Sequence, residues 1–171
     1  IKEDANATLF IKVVKAVGEQ LTKLDTNQLA AFTAYVNRRK LAGTKIEVQS
    51  LDADLLELQV EVLLDPLLFD PTGKLLSDGS SEPVYQAIVR HLKVFDFGGT
   101  FYLSKLIDSV MDTQGVKDFY ITSSKLNGSS FTQKIESSAG YIKLDPNTHI
   151  TYVLSWSKHI GPATTTPLLA H

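Results

Sequence analysis

The segment KIEVQSLDADLLELQVEVLLDP, residues 45–66, is where the chain changes from the period of a helix to that of a strand. Ile46 and Val48 alternate with Lys45, Glu47 and Gln49. A second run sets Leu56, Leu58, Val60, Val62 and Leu64 on one face, and Leu55, Glu57, Gln59, Glu61 and Leu63 on the other. With a turn at 52–54 between them, the two runs predict an antiparallel pair with one polar face. Asp65-Pro66 ends the second run. Residues 67–80, carrying Pro71, Gly73, Asp78 and Gly79, then predict a turn-rich surface loop, the natural contact region of the domain.

Upstream, Leu9, Val13, Val14, Ala16, Val17 and Leu21 recur at spacings of three and four, which predicts a helix over 4–23. Asp25 or Thr26 caps a second helix through about Arg39, with the stripe Leu29, Phe32, Ala34 and Val36; the pair is a helical hairpin. Arg38-Arg39-Lys40 at its end complement the negative pole of the helix dipole. Its few large side chains must pack on the rest of the chain or on a partner.

Downstream, Ser80 or Ser81 caps a helix with Pro83 in its first turn and Val84, Ala87, Ile88, His91, Leu92 and Phe95 on one stripe, stopped by Gly98-Gly99. Ser104 caps another, bearing Leu106, Ile107, Val110 and Met111, with Gly115 placed to end it in the left-handed conformation. Residues 116–122 read as a strand and 123–130 as a loop. Residues 141–144 and 149–156 read as a closing hairpin around Asp145-Pro146-Asn147-Thr148. The expected architecture is α+β: a helical hairpin over 1–40, and an α+β domain over 41–158 with a mixed or antiparallel five-stranded sheet and two helices on one face. A flexible tail over 159–171 completes it.

Composition bounds the function. The chain has 171 residues, 43% of them apolar and 21% charged, so it can bury a core and is not intrinsically disordered. Without Cys it has no thiol catalysis, zinc ribbon, iron–sulfur cluster or disulfide. A net charge of −2 supplies no global field for nucleic acid, and no apolar run approaches the roughly 18 residues of a spanning helix, so neither nucleic acid nor membrane is an expected partner. Opening on Ile1 rather than Met, the chain is expected to continue upstream.

Chemistry-bearing motifs are sparse. The four His residues, at 91, 149, 159 and 171, lack metal-ligand spacing, and His91 sits on a core-facing stripe as a packed imidazole. Ala42-Gly43-Thr44 followed by Asp52 and Asp54 superficially resembles the Gly-Ser and paired-Asp signature of nucleotidyltransferases, whose carboxylates hold Mg²⁺ against nucleotide phosphates; Glu61 would be the third acid. Here Thr44 opens a β-period segment rather than a helix, so the preferred reading is two turn-forming Asp residues. No catalytic residue, cofactor or metal site is expected, and a Mg²⁺-dependent nucleotidyltransferase using Asp52 and Asp54 is the alternative.

Three stretches, VNRRKLAGTKIEVQSLDADLLELQVEVLLDP (36–66), VYQAIVRHL (84–92) and FGGTFYLSKLIDSVMDTQGV (97–116), together resemble the C-terminal part of baseplate J-like wedge proteins of contractile phage tails, over about half the chain. The likeness lies in the order: Gly-Thr leading into strands, an amphipathic helix, Phe-Gly before Leu-Ser-Lys-Leu, and Gly-Val before the next strand. The resemblance implies a non-enzymatic structural role in an oligomeric assembly, with other baseplate or tail proteins as partners, in the virion or the host cytoplasm.

Overall fold

The 45–66 segment does form two strands, but they do not pair with each other. The computed structural model of the chain describes residues 2–3, 8–17, 20–41 and 43–155. Its central element is β6 (Asp54–Leu64), whose even-numbered residues are all buried, from Asp54 to Leu64. Along one edge β6 pairs antiparallel with β8 (Val116–Leu126), with register shifts at Gln59/Val60 and Leu63/Leu64. Along the other edge β11 (Ile142–Leu144) and β12 (His149–Leu154) follow each other, both parallel to β6. A short β9 (Ser129–Ser130) pairs with the end of β8, completing a mixed five-stranded sheet. The chain is therefore of the α+β class.

Two helices cover the apolar face. α2 (Pro83–Lys93) contributes Val84, Ala87, Ile88 and Leu92, and α3 (Leu103–Met111) contributes Leu103, Leu106 and Val110. These join Leu56, Leu58, Val60, Val62 and Leu64 in one buried cluster. Beside it, β7 (Thr100–Tyr102) and β10 (Lys134–Glu136) form a two-stranded ribbon that seats Phe101 among the edges of His91, Phe95 and Phe131, with centroids at 6.0, 5.9 and 6.3 Å. Burial, then Lys105, lowers the His91 pKa, which favours the neutral form of this half-buried ring. The opposite face of the sheet is polar, with Lys125 and Glu57 paired across β8 and β6 at 3.1 Å.

The N-terminal part corrects the helical hairpin expected over 1–40. Instead of a helix over 4–23 there are β1 (Lys2–Glu3), β2 (Thr8–Lys12) and the ribbon β3 (Lys15–Val17) with β4 (Gln20–Thr22). Ile11 in β2 and Val17 in β3 are β-branched and fit a pleated surface better than a helix, and the spacing of Leu9, Val13, Val17 and Leu21 satisfies both periods. Among the described residues there, α1 (Thr26–Arg39) alone is helical, opened by a capping box between Asp25 and Gln28. β5 (Lys45–Gln49) pairs parallel with β2, Thr8 opposite Lys45 and Lys12 opposite Gln49, rather than antiparallel with β6. The parallel pair is possible because the intervening chain, α1 included, supplies the crossover it needs.

Two further expectations change. Residues 123–130 are not a loop: β8 runs on to Leu126 and turns through Asn127 (φ 49°) and Gly128 (φ 79°) into β9, the Asn-Gly signature of a tight hairpin. The expected closing hairpin is a bulge. Residues 145–148 lie between two segments on the same edge of β6, and the Thr148 hydroxyl fills the gap, donating to Leu56 O and accepting from Leu58 N, both at 3.2 Å. The caps differ as well: Glu82 and Tyr102, not the serines, precede α2 and α3. The tail expected over 159–171 lies outside the described residues. Among the described residues no helix is long and apolar enough to cross a membrane. Leu58→Ala in the core should cost about 2–5 kcal/mol in urea unfolding. Val36→Ala on half-buried α1 should cost about 1 kcal/mol or less; equal costs would misplace the core.

Candidate interaction surface

Asp52 and Asp54 point to different work. Asp52 is exposed in the loop before β6 and pairs with Lys23 at 2.6 Å. Asp54 is not a turn residue: it opens β6 and is 3% exposed. Its carboxylate accepts hydrogen bonds from Ser137 Oγ (2.7 Å), Ala139 N (3.0 Å) and Asn127 Nδ2 (2.7 Å). Burial pushes its pKa up, but the Ser137 hydroxyl, the Ala139 N–H and the Asn127 amide outweigh that and hold it below the ordinary carboxylate range. Glu61 faces solvent on the polar side of β6, away from Asp54. Among the described residues no three His, Asp or Glu side chains gather in a metal-holding group.

The carboxylate instead ties three segments together. Asn127, held in a left-handed conformation, also accepts from Leu55 N through Oδ1 at 2.8 Å, locking the β8–β9 turn to the start of β6. Ser137 Oγ also accepts from Gly140 N at 2.8 Å, so the loop entering β11 is wound around the same group. Asp54 N donates to Tyr141 O, and the Tyr141 hydroxyl reaches Leu51 O at 3.2 Å. Sequence reasoning missed this role, although the signal was present: Asp54 shares the parity of Leu56 and Leu58 and so belongs to the buried face.

At the other end of β6 the loop 65–82 is built as firmly. Asp65 Oδ1 accepts from Leu67 N, and Oδ2 pairs with Lys117, each at 3.0 Å. Asp70 Oδ1 accepts from Thr72 N (2.8 Å), Thr72 Oγ1 (2.7 Å) and Lys74 N (3.0 Å). Asp78 Oδ1 accepts from Ser80 N and Ser81 N, and the Ser81 hydroxyl closes on its other oxygen. Phe69, 1% exposed, anchors the loop in the core. Gly73 (φ +81°) lies against the Tyr152 ring, where a Cβ would come within 2.4 Å, so only glycine fits. Around this frame Leu67 and Leu76 stand 80% and 56% exposed. The loop is thus tied by three aspartates while it presents two leucines to water, so little ordering entropy would be lost if another surface covered it.

The fold and this surface define an α+β domain with a preordered apolar loop and an inward-facing carboxylate. No family model matches the chain, and no curated protein matches it in sequence.

Hydrogen bonds from the Ser81 hydroxyl, the Ser81 N–H and the Ser80 N–H, in that order, hold the Asp78 carboxyl down to about 2. A folded pKa below the unfolded one means that the tie is complete above the ordinary value near 4 and is lost as pH falls through about 2. In an NMR titration the Ser80 and Ser81 amides should therefore shift with a midpoint near 2. A midpoint near 4 would show that the tie is not formed.

Proposed function

We propose that this chain is a structural component of a phage-type tail or baseplate, acting through protein–protein contacts rather than catalysis. The observation that carries the reading is the rigid 65–82 loop with Leu67 and Leu76 outward, a surface whose exposure is useful only when a neighbour covers it. The N-terminal elements add support: among their described residues Thr8 alone is buried, while Leu29, Phe32, Val36, Ile46 and Val48 remain half-buried. The resemblance of 36–66, 84–92 and 97–116 to baseplate J-like wedge proteins supplies the kind of assembly, with other baseplate or tail proteins as partners and the virion or the host cytoplasm as the site of action.

The test is incorporation. The chain should be an integral part of purified tail particles. The double substitution Leu67→Asp, Leu76→Asp should melt within about 3 °C of the wild type, because both sites are exposed, yet be lost from particles. Absence of the wild-type chain from particles, or normal incorporation of the double variant, would overturn the reading.

A further inference from the structure

The β8–β9 turn carries a reactive dipeptide. Of the five Asn residues in the chain, only Asn127 precedes a glycine. Lacking a Cβ, Gly128 leaves its backbone nitrogen uncrowded and its backbone pliant, the condition under which an asparagine sheds its own amide. The Gly128 nitrogen attacks Asn127 Cγ, the Cγ–Nδ2 bond breaks, and ammonia leaves with the Gly128 proton, closing a five-membered imide. Water then adds to either imide carbonyl and opens the ring to an aspartate or an isoaspartate. The sum is amide plus water giving carboxylate plus ammonium. Both turn residues are exposed, and a Cβ at Gly128 would meet nothing within 4 Å, so water has access.

The fold holds this chemistry back. Asn127 Nδ2 donates to Asp54 Oδ1 at 2.7 Å, its Oδ1 accepts from Leu55 N at 2.8 Å, and its backbone N–H donates to Leu55 O at 2.9 Å. Closing the imide turns Cγ away from β6 toward Gly128, which breaks both side-chain bonds and leaves the buried Asp54 carboxylate one donor short. We propose that Asn127-Gly128 is a deamidation site built as a one-way latch, shut while the turn is tied to β6 and unable to close again once it has reacted. In the aspartate product a carboxylate stands where the amide donated, so Asp54 meets a like charge in place of a donor. In the isoaspartate product the main chain runs through the former side chain, and no amide remains to reach Asp54. The latch rests on contacts within one chain and is independent of the assembly reading.

Peptide-mapping mass spectrometry of the full chain, kept in mildly alkaline buffer, reads conversion at Asn127 directly. Conversion in the folded chain should be at least about tenfold slower than in the same chain unfolded by guanidinium, because the tie must open first. Asp54→Asn removes the charged acceptor and should speed folded-state conversion, whereas Leu58→Ala weakens the core without touching the tie and should speed it less. Circular-dichroism melts check that both variants fold. A second comparison needs neither of them: Asn127→Asp, the product of the reaction, should melt about 5 °C below Asn127→Gly, which removes the same side-chain bonds but adds no charge. Conversion as fast in the folded chain as in the unfolded one would overturn the proposal. So would an Asn127→Asp chain that melts at or above Asn127→Gly.

Discussion

The Asp54 carboxylate is the constraint on which this fold turns. A charged group removed from water costs several kcal/mol unless it is paired, so three donors from two distant segments must converge on it before β6 can start where it does. Hydrogen bonds to a charged acceptor contribute about 1.5–3 kcal/mol each, so three of them together offset a cost of that size. The carboxylate therefore acts as a register pin. It sets Asn127 at the hairpin end of β8 and the 137–141 loop at the start of β11, and from there both neighbours of β6 run along it.

With that end fixed, the rest of the sheet is a matter of two edges and one face. Leu56 to Leu64 bury against α2 and α3; the register shift at Gln59/Val60 leaves Thr122 of β8 as an extra residue, and 145–148 join the two short segments that pair along the other edge of β6. Thr148 replaces a missing backbone pairing with its hydroxyl, so the edge of β6 stays satisfied across the gap. The far end of β6 passes into a loop tied by Asp65, Asp70 and Asp78. The same residue type thus does opposite things at the two ends: buried, it gathers strands; exposed, it stiffens a loop that holds leucines outward.

Much of this was legible in the residues. The alternation in β6, Pro83 at the start of α2 and Gly115 after α3 each reflect a local rule that the tertiary structure leaves intact, and Gly115 does carry a positive φ of 86°. Pairing partners were not legible. The chain from Lys45 to Leu64 reads as a hairpin because adjacent strands usually pair, yet β5 finds β2 across a crossover. Asp145-Pro146-Asn147 has the composition of a reversing turn, and nothing local says that β6 will accept both flanking segments in parallel. The spacing of Leu9, Val13, Val17 and Leu21 fits either period, and only branching at Cβ, as at Ile11 and Val17, favours the strand. For the site, Asp54 was read by its neighbour Asp52 when its parity with Leu56 carried the answer.

The most direct test is a carbon-13 NMR titration of the Asp54 carboxyl, with Asp54→Asn as its companion in unfolding experiments. A carboxyl held by three donors should titrate below the ordinary value near 3.9, contributing stability that is complete above that value and lost as pH falls through the folded pKa. The amide variant should lose about 1–3 kcal/mol at neutral pH and flatten the acid limb of the stability curve. A carboxyl that titrates at or above 4, together with an Asp54→Asn protein as stable as the wild type, would contradict the account.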